Sequence, residues 1–315
     1  MSETLTIILN WNNSKLTVDL INQFLDLDDN CDYCIVDNNS NTEEKDILLQ
    51  FCESHDDCFI GTENEIYSLK TRSKFYCIFN DANHGYAKGN NVGARLGLTI
   101  GYSYFIFSNN DILLVEPVIV GLMKEVVADK KVVMVGPKIE DTIGNQQGPF
   151  VKERLRHNFI LSLLFPVVII SKKLNFNFLG SLDNTQLKHK EDKLYRLMGC
   201  FFIIDAAAFK KLDLFDEKTF LYYEEAILSS KIFESGYKVG YKPELKVIHF
   251  DSMSTKMISN SLLQYSLESG RYYFKTYRNY NRFYLLLFAI GKIVINNFWL
   301  RVILLIRNVY SWIKR

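Results

Sequence analysis

Nothing in the overall charge of this chain asks for a polyanionic partner. Lys plus Arg number 37 and Asp plus Glu 36, a net charge of +1, so no nucleic acid is expected as a ligand. No secretory leader is expected either. The first apolar run, Leu5 to Leu9, is too short and ends in Asn10-Trp11-Asn12-Asn13, which places the expectation on the cytosolic side. Cys31-Asp32-Tyr33-Cys34 has CxxC spacing, but no second CxxC or CxxxH follows, so a zinc or redox centre lacks its other half. Ordinary reduced cysteines entering a strand are expected instead. There is no internal repeat and no low-complexity tract. Asn10 to Lys15 contains no glycine, which weighs against nucleotidyl transfer on a basic, Gly-rich N-terminal loop.

Long uninterrupted apolar runs are absent as well. Asn158 to Ile170 is broken by Pro166 and is too short to span a bilayer; it reads as a membrane-lying segment or a buried hairpin. Phe283 to Ile306 is strongly apolar but carries Lys292, Asn296, Asn297 and Arg301, interruptions a spanning helix rarely tolerates at its centre. Just before it, Tyr272, Tyr273, Phe274, Tyr277 and Tyr280 interleave with Arg271, Lys275, Arg278 and Arg282. Helices lying in a membrane interface fit this pattern, and a helical pair packed on the domain or on a partner chain is the alternative.

What the chain does have is alternation. Strands are expected at Thr4–Leu9, Cys34–Val36, Phe75–Phe79 and Tyr104–Phe107, and helices from Ser14 to about Leu25, from Thr42, from Lys88 to about Ile100, and from about Glu116 to Ala128. This order predicts a parallel α/β sheet. Each strand ends in Asn or Asp, at Asn10, Asp37, Asn80 and Asn109-Asn110-Asp111. One such ending is turn or cap chemistry. Four in register suit a ligand, because ligands of open α/β sheets sit beyond the carboxyl ends of the strands. An Asp at that edge can hold a hard divalent cation, and the cation a diphosphate.

Later elements are expected at Val132–Val135, closed by Gly136-Pro137, and at Leu197–Ile204, followed by a helix capped by Asp205. Thr142–Phe150 and Gly180–Lys193 read as polar loops. A helix from Tyr222-Tyr223-Glu224-Glu225 to about Ser235 ends at Gly236. Its stripe of Glu225, Leu228, Ser229 and Ile232 predicts that Glu225 faces the core. Strands at Val239–Tyr241 and Leu245–Ile248 follow, the second ending at His249.

Five pieces carry a resemblance. They are Ile8-Leu9-Asn10-Trp11-Asn12, Ile35-Val36-Asp37-Asn38-Asn39-Ser40, Asn83-His84-Gly85-Tyr86-Ala87-Lys88-Gly89-Asn90-Asn91, Asn109-Asn110-Asp111, and Glu224-Glu225 with His249. In this order they resemble a family 2 glycosyltransferase with the GT-A fold, in the rhamnosyltransferase-like branch that builds bacterial polysaccharides. The resemblance covers Thr4 to about Ser254. It implies a Rossmann-like, mostly parallel sheet over residues 1–255, followed by an amphipathic, aromatic helical region over 256–315.

The activity it implies is inverting transfer of a hexosyl or deoxyhexosyl unit from a nucleoside-diphosphate sugar to a saccharide hydroxyl. The acceptor would be lipid-linked, the product an O-antigen or capsule, and the protein peripheral on the cytoplasmic face of the inner membrane; homo-oligomerisation stays open. By the same resemblance, Asn10, Trp11, Asn12, Asp37, Asn39, Asn83, Gly85, Lys88, Asn90 and Asn110 contact the donor, with Gly85 and Gly89 admitting the ligand to the backbone. Asp111 and His249 hold Mg²⁺ or Mn²⁺, Glu225 is the general base and Glu224 supports it. Two positions depart from the family pattern: Glu225 replaces Asp, and Asn109 replaces a metal carboxylate. They keep a second function in view, a GT-A binding scaffold without chemistry.

Overall fold

The computed structural model describes residues 3–28, 30–152, 194–250 and 260–294. Its strands are β1 (Thr4–Asn10), β2 (Asp32–Asp37), β3 (Cys58–Thr62), β4 (Phe75–Phe79), β5 (Tyr104–Asn109), β6 (Ile112–Leu114), β7 (Val132–Glu140), β8 (Phe201–Asp205) and β9 (Lys238–His249). Its helices are α1 (Ser14–Leu27), α2 (Thr42–Glu53), α3 (Gly85–Ile100), α4 (Ile119–Ala128), α5 (Ala206–Lys211), α6 (Glu224–Glu234), α7 (Asn260–Thr276) and α8 (Arg282–Val294). The strands form one nine-stranded sheet in the order β3-β4-β2-β1-β5-β8-β7-β9-β6. All run in one direction except β8 and β6. The expected α/β architecture with a mostly parallel sheet is present.

Side chains alternate across each strand and feed two apolar layers. Leu5, Ile7, Cys34 and Val36 pack with α3, α5 and α6 on one face. Ile8, Tyr33 and Ile35 pack with α1, α2 and α4 on the other. Glycine sets how closely α3 lies on the sheet. A Cβ on Gly89 would stand 2.5 Å from Leu9, one on Gly93 2.7 Å from Ile7, and one on Gly97 2.4 Å from Phe105. The four-residue spacing therefore forms a flat stripe against β1 and β5. Helix-to-sheet packing, not ligand approach, explains Gly89.

Several boundaries differ from the sequence expectation. Helix α3 begins at Gly85 rather than Lys88. Helix α4 begins at Ile119, where Asp28 caps it from across the fold: its Oδ2 accepts from the amides of Val118 and Ile119 at 2.6 Å each. Strand β7 runs through Gly136-Pro137, and β9 is one strand rather than two, with a register shift between Pro137 and Lys138 absorbing the irregularity. Cys31 and Cys34 are free and buried, as expected of reduced strand cysteines, and burial pushes the Cys31 thiol up to about 12. Cys52 and Cys58 are bonded, with Cα atoms 5.4 Å apart.

The described part of the C-terminal region packs on the domain. Ala226 and Ile227 of α6 form an apolar cluster with Tyr273, Phe274 and Phe288 of α7 and α8. Tyr272 and Tyr277 both donate to Oδ2 of Asp216 at 2.6 Å. Much of the aromatic and basic interleaving thus serves intramolecular docking. No described helix is long and apolar enough to cross a membrane. The segments expected at Asn158–Ile170 and Gly180–Lys193, and the tail beyond residue 294, lie outside the described residues.

Candidate active site

Strand β5 leaves the sheet as Asn109-Asn110-Asp111 and turns straight into β6. Pairing of β6 with β9 sets Ile112 opposite His249, and the Phe250 amide donates to the Asp111 carbonyl at 3.0 Å. The two side chains are thereby brought together, with His249 Nε2 3.3 Å from Asp111 Oδ1. Both residues are buried. Apart from this ion pair, neither carboxylate oxygen of Asp111, nor His249 Nε2, meets the geometry of a hydrogen bond among the described residues. A buried carboxylate without donors is costly unless a positive charge satisfies it.

The imidazole is held from behind by Gln147, whose Oε1 lies 2.7 Å from Nδ1. Burial disfavours a charged His249, yet Asp111 and Cys200 outweigh it and lift its pKa to about 10. As imidazolium, His249 supplies positive charge to Asp111 itself; to ligate a metal its Nε2 must first give up that proton. The oxygen and nitrogen donors of this corner fit a divalent cation, which Asp111 and His249 would hold. Among the described residues no group of three or more His, Cys, Asp or Glu stands ready for a metal. The remaining ligand positions would fall to donor oxygens and water.

The strand ends to one side of this corner are tied together by amides. Asn10 is fully buried. Its Nδ2 donates to Asp37 Oδ1 at 2.9 Å and to Ser14 Oγ at 3.1 Å, and its Oδ1 accepts from Thr17 at 2.8 Å. Asn10 therefore positions Asp37 rather than presenting itself to a ligand. Asp37 Oδ2 accepts from the Ser40 amide at 3.0 Å. Asn38, absent from the sequence-derived site, is the hub. It donates to Asn83 Oδ1 at 2.9 Å and to the Gly85 carbonyl at 3.1 Å, and accepts from Asn80 Nδ2 and the His84 amide.

Trp11 is 50% exposed on the turn after β1. That turn is fixed by Asn12, whose amide donates to Ser40 Oγ at 2.8 Å and whose Oδ1 accepts from the Asn41 amide at 2.9 Å. Lys88 is half-buried in the first turn of α3. Other expected donor contacts point elsewhere. Asn39 lies exposed and accepts from Lys45. Asn90 is buried and donates back to the Tyr86 carbonyl. Asn110 donates to Thr17 Oγ1 at 3.1 Å, against α1. Gly85, at φ +74°, is required by the protein itself, because its Cβ would fall 2.1 Å from the Phe220 carbonyl oxygen. Both glycines thus make close contacts inside the protein, Gly85 with Phe220 and Gly89 with Leu9.

On the other side of the corner, Gly199-Cys200 leads into β8. Cys200 accepts from the Asn109 amide at 2.8 Å, Gly199 accepts from Tyr86 Oη at 2.6 Å, and Gly199 also lies against Glu225. Glu225 is half-buried and ion-paired with Arg196, whose guanidinium lies 4.1 Å over the Phe150 ring. Glu224 is the more buried of the two, 4% exposed, and its Oε1 has no hydrogen-bond partner among the described residues. The expected stripe holds for Leu228, Ser229 and Ile232, but Glu224, not Glu225, continues it inward. Burial first, and the Glu225 charge second, raise the Glu224 pKa to about 8. Arg196 had no visible signal in the sequence, since it precedes β8 in an unpatterned stretch.

The elements at the carboxyl edge thus carry the buried Asp111–His249 pair, a half-buried lysine at the start of α3 and a carboxylate pair at the start of α6. No protein-family model and no curated protein sequence matches the chain. Solved structures do. A mannosyltransferase from Pyrobaculum calidifontis, solved with GDP-Man and Mn²⁺, superposes with a TM-score of 0.56 at 12% identity, over 92% of this chain and 69% of that one. GalNAc-T7, solved with UDP, GalNAc and Mn²⁺, gives a TM-score of 0.56 at 14% identity, over 87% of this chain and 48% of that one. The chain has the GT-A fold. Against GalNAc-T7 the GT-A core described here spans about half the neighbour's length.

Proposed function

We propose that this GT-A protein is an inverting glycosyltransferase, using a nucleoside-diphosphate sugar as donor and a saccharide hydroxyl as acceptor. The observation that carries the reading is Asp111, a buried carboxylate on the carboxyl edge whose oxygens accept no hydrogen bond among the described residues and whose one ion-pair partner there is His249, a metal-ligating residue type. Both neighbours were solved with Mn²⁺ and a nucleotide or nucleotide sugar. A divalent cation here, Mg²⁺ or Mn²⁺, would neutralise charge on the leaving diphosphate.

The chain's own residues do the rest. Asp37 is fully buried, with both oxygens held by Asn10 and Ser40, so it braces the strand ends against which the base or ribose would lie; Trp11 offers an exposed ring and Lys88 a cation for the phosphates. Burial keeps a proton on Glu224 near neutral pH, which leaves the half-buried Glu225, ion-paired with Arg196, as the base. Glu225 takes the acceptor proton while the hydroxyl oxygen bonds to C1 and the nucleoside diphosphate leaves with its electron pair. The finer reading follows the sequence: a hexosyl or deoxyhexosyl unit, a lipid-linked acceptor in O-antigen or capsule synthesis, and a peripheral place on the cytoplasmic face of the membrane.

The Arg196–Glu225 ion pair favours a second reading, because a base tied to a guanidinium is a weaker base. In that case the domain binds nucleotide sugars as a scaffold. Thermal shift with GDP-mannose, UDP-N-acetylgalactosamine and related nucleotide sugars, with and without Mn²⁺, tests binding through the rise in melting temperature. Release of nucleoside diphosphate tests chemistry. Binding without release from any donor is the scaffold outcome, and no metal-dependent binding at all removes both readings.

A further inference from the structure

The segment Phe220–Tyr223 leads into the two carboxylates, and it is wedged between α3 and the C-terminal pair α7 and α8. On one side the Phe220 carbonyl accepts from the Tyr86 amide at 2.8 Å, at the start of α3. On the other side lie α7 and α8. The segment then makes an uncommon turn: Tyr222 and Tyr223 stand at φ +75° and +72°, a region that bulky residues rarely adopt and that persists only where surroundings enforce it.

The enforcing contacts come from the C-terminal helices. Tyr223 stacks on Tyr273 with ring centroids 5.6 Å apart, and meets Phe274 and Phe288 edge-on at 6.0 and 6.3 Å. The Lys292 ammonium lies 5.8 Å over the same ring. Gly270 permits this fit, since a Cβ there would stand 2.3 Å from Phe288 and 3.0 Å from Tyr223. Ser269 Oγ donates to the Leu221 carbonyl at 2.9 Å, and Tyr265 packs on Phe220 at 4.5 Å. Every residue from Phe220 to Tyr223, save Tyr222, is gripped by α7 or α8.

We propose that α7 and α8 are a positioning element of the active site: by holding Tyr223 in its left-handed turn they fix where Glu224 and Glu225 stand. This rests on reading that pair as catalytic. It gives the C-terminal region a task inside the domain, separate from any attachment to a membrane. The task explains why so many aromatic residues of the region point inward. It also explains how Glu224 stays sealed, with no hydrogen-bond partner for Oε1 among the described residues, one residue from a turn that would otherwise relax.

The test compares Tyr223→Gly, which suits the left-handed backbone but removes the ring, with Tyr223→Phe, which keeps the ring. Infrared titration follows the Glu224 carboxyl band, assigned by its loss in Glu224→Gln. The pH at which Glu224 ionises should fall toward the ordinary carboxylate range in Tyr223→Gly and stay at the wild-type value in Tyr223→Phe. Turnover with the donor found by the binding screen should drop about tenfold to a hundredfold in Tyr223→Gly, with little change in donor KM. Phe288→Leu, which thins the same contact, should move both readouts in the same direction and serves if Tyr223→Gly does not fold. Wild-type titration in Tyr223→Gly, or in Phe288→Leu where that variant serves, overturns the proposal. An unchanged rate in Glu225→Gln, with the titration shift present, overturns the catalytic reading and leaves the positioning of Glu224 standing.

Discussion

His249 Nε2 lies 3.3 Å from Asp111 Oδ1 because a three-residue strand, β6, folds back against β9. The proposed metal corner therefore depends on a pairing at the edge of the sheet, not on a motif contiguous in the sequence.

Asp111→Asn keeps the size of the side chain and removes its charge. Affinity for GDP-mannose or another donor should fall by about tenfold or more in Mn²⁺, with little change in EDTA. Calorimetric titration under both conditions checks this, and equal binding by both proteins in Mn²⁺ would show that Asp111 holds no cation.

Glu225→Gln should lower turnover by about 10²–10⁴-fold with donor binding unaltered. Glu224→Gln mimics the protonated form and should keep most activity. If Glu224→Gln is the dead variant and Glu225→Gln turns over normally, the roles are reversed.

The same buried carboxyl sets a pH dependence of stability. Its folded pKa, about 8, stands above the ordinary value of 4.5, so the folded state binds its proton more tightly than the unfolded chain. The contribution is fully present below the ordinary value and is lost as pH rises through about 8. Melting temperature should decline over that window in the wild type and more shallowly in Glu224→Gln. Parallel profiles would mean that Glu224 is solvated in solution.

Gly93→Ala raises helix propensity by about 1 kcal/mol. It also places a Cβ 2.7 Å from the Ile7 Cγ2, on a β-branched side chain that cannot swing away. Overpacking of about 1–3 kcal/mol should win, and denaturant unfolding should show net destabilisation. A more stable variant would mean that α3 can lift from the sheet.

Phe283, Leu286, Ile290 and Ile293 are exposed along one face of α8. Full-length protein should float with anionic vesicles, and Leu286→Glu with Ile290→Glu should abolish flotation while leaving the fold intact. Truncation before α7 is the poorer experiment, because it also strips Tyr223 of its packing. A wild-type protein that stays unbound would confine both helices to their role on the domain.

Much of the fold was legible because the first half alternates apolar runs and polar strand ends at regular spacing. The missing strands had physical reasons: β3 is an edge strand with only Gly61 fully buried, and β6 has three residues. Within the site, residue type was easier to read than direction. Asn10, Asn90 and Asn110 have the chemistry of ligand contacts, yet their amides close hydrogen bonds inside the protein. Which of two adjacent glutamates faces inward depended on the turn at Tyr222–Tyr223, whose positive φ angles nothing in the sequence announces. Arg196 enters through tertiary packing alone.

Gly85 has no Cβ, and the Phe220 carbonyl stands where one would be. Helix α3 and the carboxylate-bearing turn therefore share a backbone contact with no side chain between them to yield, and the Tyr86 amide donates across it to the Phe220 carbonyl at 2.8 Å. A displacement of the start of α3 must carry Phe220 with it, and with Phe220 the turn that leads into Glu224 and Glu225. On the function proposed above, donor binding and the placing of the acceptor base become one displacement.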